Sequence, residues 1–233
     1  RIPPLSPAPH AAFRYLLATW PAPECLQVMC GTGNNGGDGF LIADLAHKRG
    51  IGVTVFQLGD AGKIGGDALL ARQQALAHGV KIVPFATAAL APVGVIVDAM
   101  LGTGLGGEVR GVYVDAIDAV NASDVPVLAV DIPSGLCADT GRVLGSAVRA
   151  DLTVTFIALK RGLFTLQAPD YTGAVQLSDL GVPPEVYAAV PADCARLELE
   201  SLLDCLPPRP ATAHKGLYGT VLVLGGDYGM PGV

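Results

Sequence analysis

The stretch Leu26-Gln27-Val28-Met29-Cys30-Gly31-Thr32-Gly33-Asn34-Asn35-Gly36-Gly37-Asp38-Gly39 runs from an apolar segment into a glycine-rich loop. Beyond it, Leu41, Ile42 and Leu45 are spaced to share one face of a helix. We therefore predict a strand over residues 26–30, a glycine loop, and a helix over residues 39–48. Glycine lets a backbone approach a ligand closely, and the free N–H groups at a helix N-terminus attract anions.

Two more apolar runs lead into glycine-rich loops later in the chain. Residues 93–100 precede Gly102-Thr103-Gly104-Leu105-Gly106-Gly107-Glu108, and residues 127–130 precede Asp131-Ile132-Pro133-Ser134-Gly135. In an open α/β sheet, ligands bind beyond the carboxyl ends of the strands. Three such loops can converge on one crevice, and together they predict a site for a small molecule that carries phosphate.

Apolar runs and helical patterns alternate along most of the chain, which predicts an α/β fold. Helical patterns cover residues 11–20, 39–48, 66–78 and 113–121, and further strands are predicted at residues 53–58, 81–85, 151–157 and 174–177. The run at 93–100 is apolar almost throughout, as in a strand that is covered on both faces. The expected architecture is a doubly wound, mostly parallel, Rossmann-like sheet with helices on both faces.

The composition argues against several classes of protein. The 233 residues carry a net charge of −6, which argues against an extended nucleic-acid surface. No apolar run reaches the roughly 18 residues of a membrane span, so no membrane partner is expected. The five cysteines show neither a CxxC pair nor metal-ligand spacing, and their odd number is typical of reduced thiols in a cytoplasmic protein. The chain has no P-loop sequence, and no histidine lies near Ser134 to form a hydrolase triad.

Several polar residues stand where strands are predicted to end. Asp98 and Asp131 each follow a buried-strand pattern, where a carboxylate is either paired or functional. Asp38 could cap the following helix or bind a ligand, and the sequence favours the two roles equally. Asn35 could give an amide oxygen to a hard cation. For Lys160, which follows the strand at 151–157, a solvated turn and a contact with substrate phosphate are equally favoured.

The glycine spacing is also compatible with the function of a dehydrogenase. Gly31-x-Gly33-x-x-Gly36 and Gly102-x-Gly104-x-x-Gly107 both match the dinucleotide-binding fingerprint, which is a weak signal in a glycine-rich chain. Asp60 lies about where that fingerprint places the acid that binds the ribose. An NAD(P)-dependent dehydrogenase is therefore one alternative function.

Four motifs occur in the order and spacing of a known family. They are Cys30-Gly31-Thr32-Gly33-Asn34-Asn35-Gly36-Gly37-Asp38-Gly39, Val97-Asp98-Ala99 with Gly102-Thr103-Gly104, Asp131-Ile132-Pro133-Ser134-Gly135-Leu136, and Ala150-Asp151-Leu152-Thr153-Val154-Thr155-Phe156. Over residues 25–180 the chain resembles NAD(P)HX epimerase, an enzyme that repairs the hydrated forms of NADH and NADPH.

The resemblance implies a role for each motif. Asp131 would contact the substrate NAD(P)HX as the catalytic acid/base that interconverts its R and S epimers. Asn35, Asp98 and Ser134 would hold a potassium ion. The residues implied in substrate binding are Asn34, Asn35, Gly36, Gly37, Asp38, Gly102, Thr103, Gly104, Leu105, Gly106, Gly107, Glu108 and Asp131. The resemblance leaves homo-oligomerisation open.

The end of the chain carries a second resemblance. His214-Lys215-Gly216, Gly219-Thr220-Val221-Leu222-Val223-Leu224-Gly225-Gly226 and Gly229-Met230-Pro231-Gly232 are similar to the start of NAD(P)HX dehydratase, a ribokinase-like domain that uses ADP or ATP. We therefore assign residues 1–205 to an epimerase-like domain and residues 206–233 to a linker and the truncated start of a dehydratase-like domain. The nucleotide-binding motifs of that second domain would follow residue 233, so this chain alone is expected to lack dehydration activity.

Two features depart from the family pattern. The segment before the first strand is shorter and richer in proline than the helical segment of the family, so this part of the epimerase domain is expected to be incomplete. Cys137 stands where many members have a carboxylate. A domain that binds a nucleotide without turning it over, and acts through a protein partner, is the third function that stays open.

Overall fold

The computed structural model describes residues 7–85, 90–203, 210–217, 220 and 222. Packing divides the chain into two compact units, Arg1–Val190 and Pro191–Val233. Within the described part of the larger unit, seven strands form one sheet. They are β1 (Cys25–Cys30), β2 (Gly52–Gln57), β3 (Lys81–Pro84), β4 (Val95–Ala99), β5 (Val127–Val130), β6 (Leu152–Phe156) and β7 (Ala174–Ser178).

The strand order confirms the doubly wound parallel sheet that the sequence predicts. Neighbouring strands are parallel throughout, in the order β3-β2-β1-β4-β5-β6-β7. The winding reverses between β1 and β4, because β2 and β3 lie on one side of that pair and β5 to β7 on the other. Sheets of this type bind ligands at such a reversal, beyond the carboxyl ends of the strands.

Helices cover both faces of the sheet. They are α1 (Pro7–Thr19), α2 (Asn34–Lys48), α3 (Gly66–Ala77), α4 (Val112–Asn121), α5 (Pro169–Thr172) and α6 (Pro184–Ala189), while α7 (Leu199–Leu202) belongs to the smaller unit. Apolar residues of α1, α2 and α3 pack in one core cluster, and those of α4 pack in a second. No helix among the described residues is long and apolar enough to cross a membrane.

Strand β1 shows why both faces are buried. Its side chains alternate between the two clusters: Leu26 and Val28 join the cluster of α1, α2 and α3, and Met29 joins the cluster of α4. All three side chains are fully buried. A strand with apolar side chains on both faces is typical of the middle of a parallel sheet, and β1 lies there.

Helix α2 begins at Asn34, so the predicted start at Gly39 is wrong. The glycines that indicate a loop in the sequence lie inside the helix, because they let α2 pack against the sheet at very short range. A Cβ atom at Gly39 would lie 2.6 Å from the Ala99 Cβ, and a Cβ atom at Gly36 would overlap the carbonyl oxygen of Gly31. Glycine inside a helix costs about 1 kcal/mol relative to alanine, and this close packing offsets the cost.

Other boundaries differ less from the prediction. Helix α1 begins at Pro7 instead of residue 11, since proline is tolerated in the first turn of a helix. The predicted strands agree with the observed ones to within two residues at each end. Most of the predicted start of a ribokinase-like domain, including the strand and turn at 219–226, lies outside the described residues.

Candidate functional site

The loops after β1, β4 and β5 meet at one edge of the sheet, as predicted. The Gly31 N–H donates to the carbonyl of Ala99 at 3.1 Å, which joins the loop after β1 to the end of β4. The Leu101 N–H donates to the hydroxyl oxygen of Ser134 at 2.8 Å, which joins the loop after β4 to the loop after β5. Each loop is therefore held by its neighbour in the sheet.

Asp98 connects β4 to the loop after β5. Its carboxylate is fully buried and accepts the Ser134 hydroxyl at 2.6 Å, the Ser134 N–H at 2.8 Å and the Met100 N–H at 3.2 Å. Burial raises the pKa of Asp98 to about 6, and the hydrogen bonds from Ser134 and Met100 oppose that rise. From the sequence, this carboxylate is expected to be either paired or functional. In the structure it is paired with hydrogen-bond donors of Ser134 and Met100.

Asn35 leaves a buried polar atom without a partner. It lies in the first turn of α2, and its side chain contacts Gly102, since a Cβ atom at Gly102 would lie 3.3 Å from the Asn35 Cβ. The Nδ2 atom is buried and makes no hydrogen bond within the described protein. An unpaired buried amide costs about 1–3 kcal/mol, and an amide can also turn so that its oxygen takes the same place. The buried amide of Asn35 is therefore suited to a ligand that is not part of the described chain.

Asp131 follows directly after β5 and has an unusual backbone conformation. Its φ is 68°, and the Ile132 N–H donates to the carbonyl of Val130 at 2.9 Å, which closes a tight γ-turn around the aspartate. Such turns with positive φ are rare and strained, and strain of this kind is concentrated at functional sites. The turn places the Asp131 carboxylate at the carboxyl edge of the sheet, with 19% of the side chain exposed.

One oxygen of Asp131 is anchored and the other is not. Oδ1 accepts the Lys160 ammonium at 2.6 Å, the Thr155 hydroxyl at 3.2 Å and the Phe156 N–H at 3.4 Å. No described residue donates a hydrogen bond to Oδ2. The carboxylate is thus fixed from the side of β6, while one oxygen is left for another partner.

Lys160 makes a contact with Asp131 that the sequence reasoning missed. It follows β6, and its side chain returns to that strand and to the end of β5, with 21% of the side chain exposed. Its position five residues after Thr155 gives no such signal, because the contact depends on β6 being the neighbour of β5. The sequence offers two roles for Lys160, a solvated turn and a contact with substrate phosphate. The observed ion pair with Asp131 is neither of them.

Asp38 is a second acidic group at this edge. It lies in the second turn of α2, whose N-cap is Gly33, so the alternative in which Asp38 caps the helix is wrong. Its carboxyl group makes no hydrogen bond within the described residues. Burial, and after it the negative charge of Asp131, raise the pKa of Asp38 to about 7. Near neutral pH the site therefore contains one carboxyl group that readily holds a proton and one carboxylate that is paired with an ammonium group.

The glycines of the loops fall into two kinds. Gly31 and Gly36 are required by the fold, because a Cβ atom at either would overlap backbone carbonyl oxygen. In contrast, a Cβ atom would meet nothing within 4 Å at Gly33, Gly104, Gly106 or Gly107, and none of these four has a positive φ. The packing of the protein does not explain glycine there, whereas a ligand that approaches the backbone would explain it.

Not every predicted residue joins this cluster. Glu108, at the end of the loop after β4, is exposed, and no hydrogen bond links it to Asn35, Asp98 or Asp131 in the described structure. Asp60 accepts the Gly62 N–H at 2.9 Å and caps the short 3-10 turn Ala61–Lys63. The contact that is observed for Asp60 is therefore structural and does not favour the dehydrogenase alternative.

Neither a surface depression at the other edge of the sheet nor a cluster of metal-ligating side chains among the described residues provides a second candidate site. A surface depression of about 620 Å³ lies against Cys25, Gly52 and Lys81, at the amino ends of the strands and on the opposite side from the glycine loops. Among the described residues, no three His, Cys, Asp or Glu side chains are grouped to hold a metal ion. Any cation at the carboxyl edge would therefore need amide, hydroxyl or backbone oxygens in addition to the carboxylates of the described residues.

The sequence comparisons agree with this architecture. The family described as YjeF-related protein N-terminus matches residues 6–162, which contain every strand from β1 to β6 and all three loops. The chain belongs to this family. The match covers Asn35, Asp98, Asp131 and Ser134, so the whole cluster lies within the family domain.

Members with longer chains are similar over nearly the whole length of this one. The bifunctional NAD(P)H-hydrate repair enzyme Nnr of Coxiella burnetii is 48% identical over 225 residues, which are 97% of this chain and 46% of that enzyme. The enzyme of the same name from Escherichia coli is 40% identical over 225 residues, 97% of this chain and 44% of that one. The chain thus spans slightly less than half the length of the curated relatives it matches.

A solved structure supports the fold of this family member. The crystal structure of the yeast protein ynu0 superposes with a TM-score of 0.69 over 79% of this chain and 82% of the yeast chain. The two sequences are 18% identical over the match, so the likeness concerns the α/β architecture alone.

Proposed function

We propose that this chain is the epimerase part of an NAD(P)H-hydrate repair enzyme and interconverts the R and S epimers of NAD(P)HX. The observation that carries the proposal is the pair of acidic groups at the carboxyl edge: Asp131, whose Oδ2 accepts no hydrogen bond from the described residues, and Asp38, with a pKa of about 7. The names of the Coxiella and Escherichia relatives support the substrate class, since both are called NAD(P)H-hydrate repair enzymes.

The chemistry of epimerisation fits two such groups. Inversion at C6 of the hydrated nicotinamide ring requires that a bond from C6 to oxygen or to the ring nitrogen break and form again. Either route needs a proton to be given in one half of the reaction and taken back in the other. A positioned acid/base contributes about 10²–10⁴-fold in rate, and it works best when its pKa lies near the working pH. Asp131 is the proposed catalytic residue, and Asp38 supplies a second exchangeable proton close to it.

The glycine loops fit the nucleotide part of the substrate. Helix α2 begins without a side-chain cap, and its first N–H groups lie beside the exposed Gly33 and Asn34. Free N–H groups at a helix N-terminus stabilise phosphate. The open space in front of Gly104, Gly106 and Gly107 lets a second backbone segment approach the same ligand. The proposed substrate-binding segments are therefore residues 34–38 and 102–108, together with Asp131.

We propose that a potassium ion binds between these loops. Asn35 offers an unpaired buried amide, and Ser134 and Asp98 lie on the neighbouring strand ends, joined through Leu101 to the loop that Asn35 contacts. Amide, hydroxyl and carboxylate oxygens suit a hard cation. We propose Asn35, Asp98 and Ser134 as its ligands. When bound, the ion would offset phosphate charge and hold the three loops in register.

The cysteines support a reducing compartment such as the cytoplasm for the proposed enzyme. Cys25, Cys30, Cys137 and Cys194 are all free thiols in the described structure. Proteins that keep unpaired thiols are typical of reducing compartments.

The experiment is to incubate the protein with the pure R epimer of NADHX and to separate the epimers by chromatography over time. We expect the S epimer to appear faster than in a control without protein. Folded Asp131→Asn, whose side chain can keep the same turn, should lose this acceleration. A folded wild-type protein that does not exceed the uncatalysed rate would contradict the proposal.

Two controls distinguish the alternatives. A dehydrogenase would oxidise or reduce a nicotinamide cofactor when a second substrate is added, which absorbance at 340 nm detects. A binding module would bind the hydrate without changing its rate of epimerisation, and calorimetry with NADHX would detect that binding.

A further inference from the structure

The ammonium group of Lys160 has no proton left for a substrate. It donates to Oδ1 of Asp131 at 2.6 Å, to the carbonyl of Phe156 at 2.8 Å and to the hydroxyl oxygen of Thr155 at 2.9 Å. A lysine ammonium has three N–H donors and no acceptor, so these contacts use all of them. A contact between Lys160 and substrate phosphate would have to break one of the three, and the observed geometry argues against that role.

The same ammonium group joins two strained turns. Asp131 follows directly after β5 with a φ of 68°, and Ile157 follows directly after the neighbouring strand β6 with the same φ of 68°. The turn at Ile157 is closed by the Ala158 N–H, which donates to the Phe156 carbonyl at 2.7 Å. Lys160 donates to that same carbonyl and to the carboxylate in the other turn. A β-branched residue with positive φ is a genuine outlier and persists only where its surroundings hold it.

The two carboxylate oxygens of Asp131 therefore have different surroundings. Oδ1 faces Lys160, Thr155 and the backbone of β6, and Oδ2 receives no hydrogen bond from a described residue. A carboxylate that is free to rotate would present either oxygen in many orientations. A misplacement of about 1 Å at a reacting group can cost about 10²-fold in rate, so fixing one oxygen has a catalytic consequence.

We propose that Lys160 is a positioning residue, whose ammonium group fixes Oδ1 of Asp131 so that Oδ2 exchanges the proton with the substrate. The inference rests on the proposed epimerase function, and it adds a residue to that site. Lys160 acts through Asp131 and makes no contact with the nucleotide.

The experiment measures kcat and KM for epimerisation of R-NADHX by wild type, Lys160→Met and Lys160→Arg. Lys160→Met should lower kcat about 10²-fold and change KM less than about threefold, because it removes an interaction that matters in the transition state. Lys160→Arg should recover part of kcat, since arginine also donates to carboxylate and carbonyl oxygens. The matched control is Lys48→Met, which removes a lysine–aspartate pair of 2.8 Å near the far end of α2 and should leave both constants unchanged.

The change in kcat compared with the change in KM separates positioning from direct binding. A rise in KM with kcat retained would show a phosphate contact and overturn the proposal, as would unchanged kcat and KM. If Lys160→Met does not fold, Thr155→Val provides the second test, since it removes the hydroxyl between Lys160 and Asp131 and should lower kcat in the same direction.

Crystal structures of the variants make the test independent of activity. In Lys160→Met the Asp131 carboxylate should leave its observed position, and in Lys160→Arg it should keep it. An unchanged carboxylate in Lys160→Met would overturn the positioning role even if the wild-type protein proved to have no epimerase activity. Absence of activity in the wild type would by itself contradict only the proposed function.

Discussion

Asp38 and Asp131 belong to one electrostatic site, although they come from α2 and from the end of β5. Burial is the main cause that raises the pKa of Asp38 to about 7, and the negative charge of Asp131 is the second. Asp131 in turn is paired with Lys160 at 2.6 Å. The two acidic side chains therefore lie in different environments, one buried with a raised pKa and one in an ion pair, which is an arrangement typical of acid/base sites.

The first prediction concerns the pH dependence of stability. In the unfolded chain Asp38 has an ordinary pKa of 3.8, so between about pH 4 and pH 7 the folded protein holds a proton that the unfolded chain has lost. Stability should therefore fall as the pH rises through this window and level off above about pH 7. Asp38→Asn removes the contribution of Asp38 and leaves that of Asp98, whose pKa is raised to about 6. Because Asp38 is partly exposed, we expect a gain of about 1–3 kcal/mol at pH 8.

Urea unfolding at pH 4.5 and pH 8 measures this difference. Asp38→Asn should match the wild type at pH 4.5 and exceed it at pH 8, while the exposed Asp124→Asn serves as a control with no such change. The same pH dependence in Asp38→Asn and wild type would show that Asp38 is ionised in the folded protein throughout. The epimerase rate of Asp38→Asn at pH 7 should fall, because asparagine carries no exchangeable carboxyl proton.

The second prediction uses the two kinds of glycine. Gly106→Ala adds a methyl group into open space at a permitted φ, so the melting temperature should stay within about 2 °C of the wild type. If the space belongs to the nucleotide, KM should rise about tenfold or more. Gly36→Ala places its methyl group on the carbonyl oxygen of Gly31 and should destabilise the fold by about 1–3 kcal/mol.

Thermal unfolding and initial rates on both variants provide the measurement. Unchanged KM in a folded Gly106→Ala protein would show that no ligand approaches this loop closely. A stable Gly36→Ala protein would mean that α2 can move away from the sheet edge at small cost.

The strands were predictable because a strand that is buried on both faces has an almost continuously apolar sequence. The run that forms β4 and the run that forms β5 are apolar almost throughout, and each ends at an aspartate or near one. The convergence of Asp98 and Ser134 followed from parallel strands alone, since their carboxyl ends meet at one edge. Their hydrogen bond of 2.6 Å is the direct consequence.

The parts that were missed depend on neighbours in space. The start of α2 was placed at Gly39 because glycine usually indicates a loop, and only the close contact with β4 explains helical glycines. Lys160 was undecided because its partner, Asp131, is 29 residues away and is reached through the β5–β6 pairing. The raised pKa of Asp38 likewise requires burial and the charge of Asp131, neither of which a sequence pattern contains.

The third prediction concerns the end of the chain. The three apolar core clusters of the described structure draw their buried residues from positions 8 to 168. Deleting residues 211–233 should therefore shift the melting temperature of the larger unit by less than about 2 °C and leave the epimerase rate unchanged. A large fall in melting temperature after the deletion would show that these residues complete the core of the larger unit.

The last prediction concerns potassium. The Asn35 amide nitrogen is buried beside Gly102 without a hydrogen-bond partner among the described residues. Asp98 and Ser134 are hydrogen bonded to one another on the neighbouring elements, so a bound cation should strengthen the contacts between the loops. Anything that binds the folded state alone stabilises it by mass action, by about 2.7 kcal/mol at a hundred times the dissociation constant. The melting temperature should rise with potassium chloride more than with choline chloride at equal ionic strength, and KM should fall in parallel. Asn35→Ala should abolish both responses while leaving the protein folded in choline chloride. Identical melting curves and KM values in the two salts would rule out the proposed site.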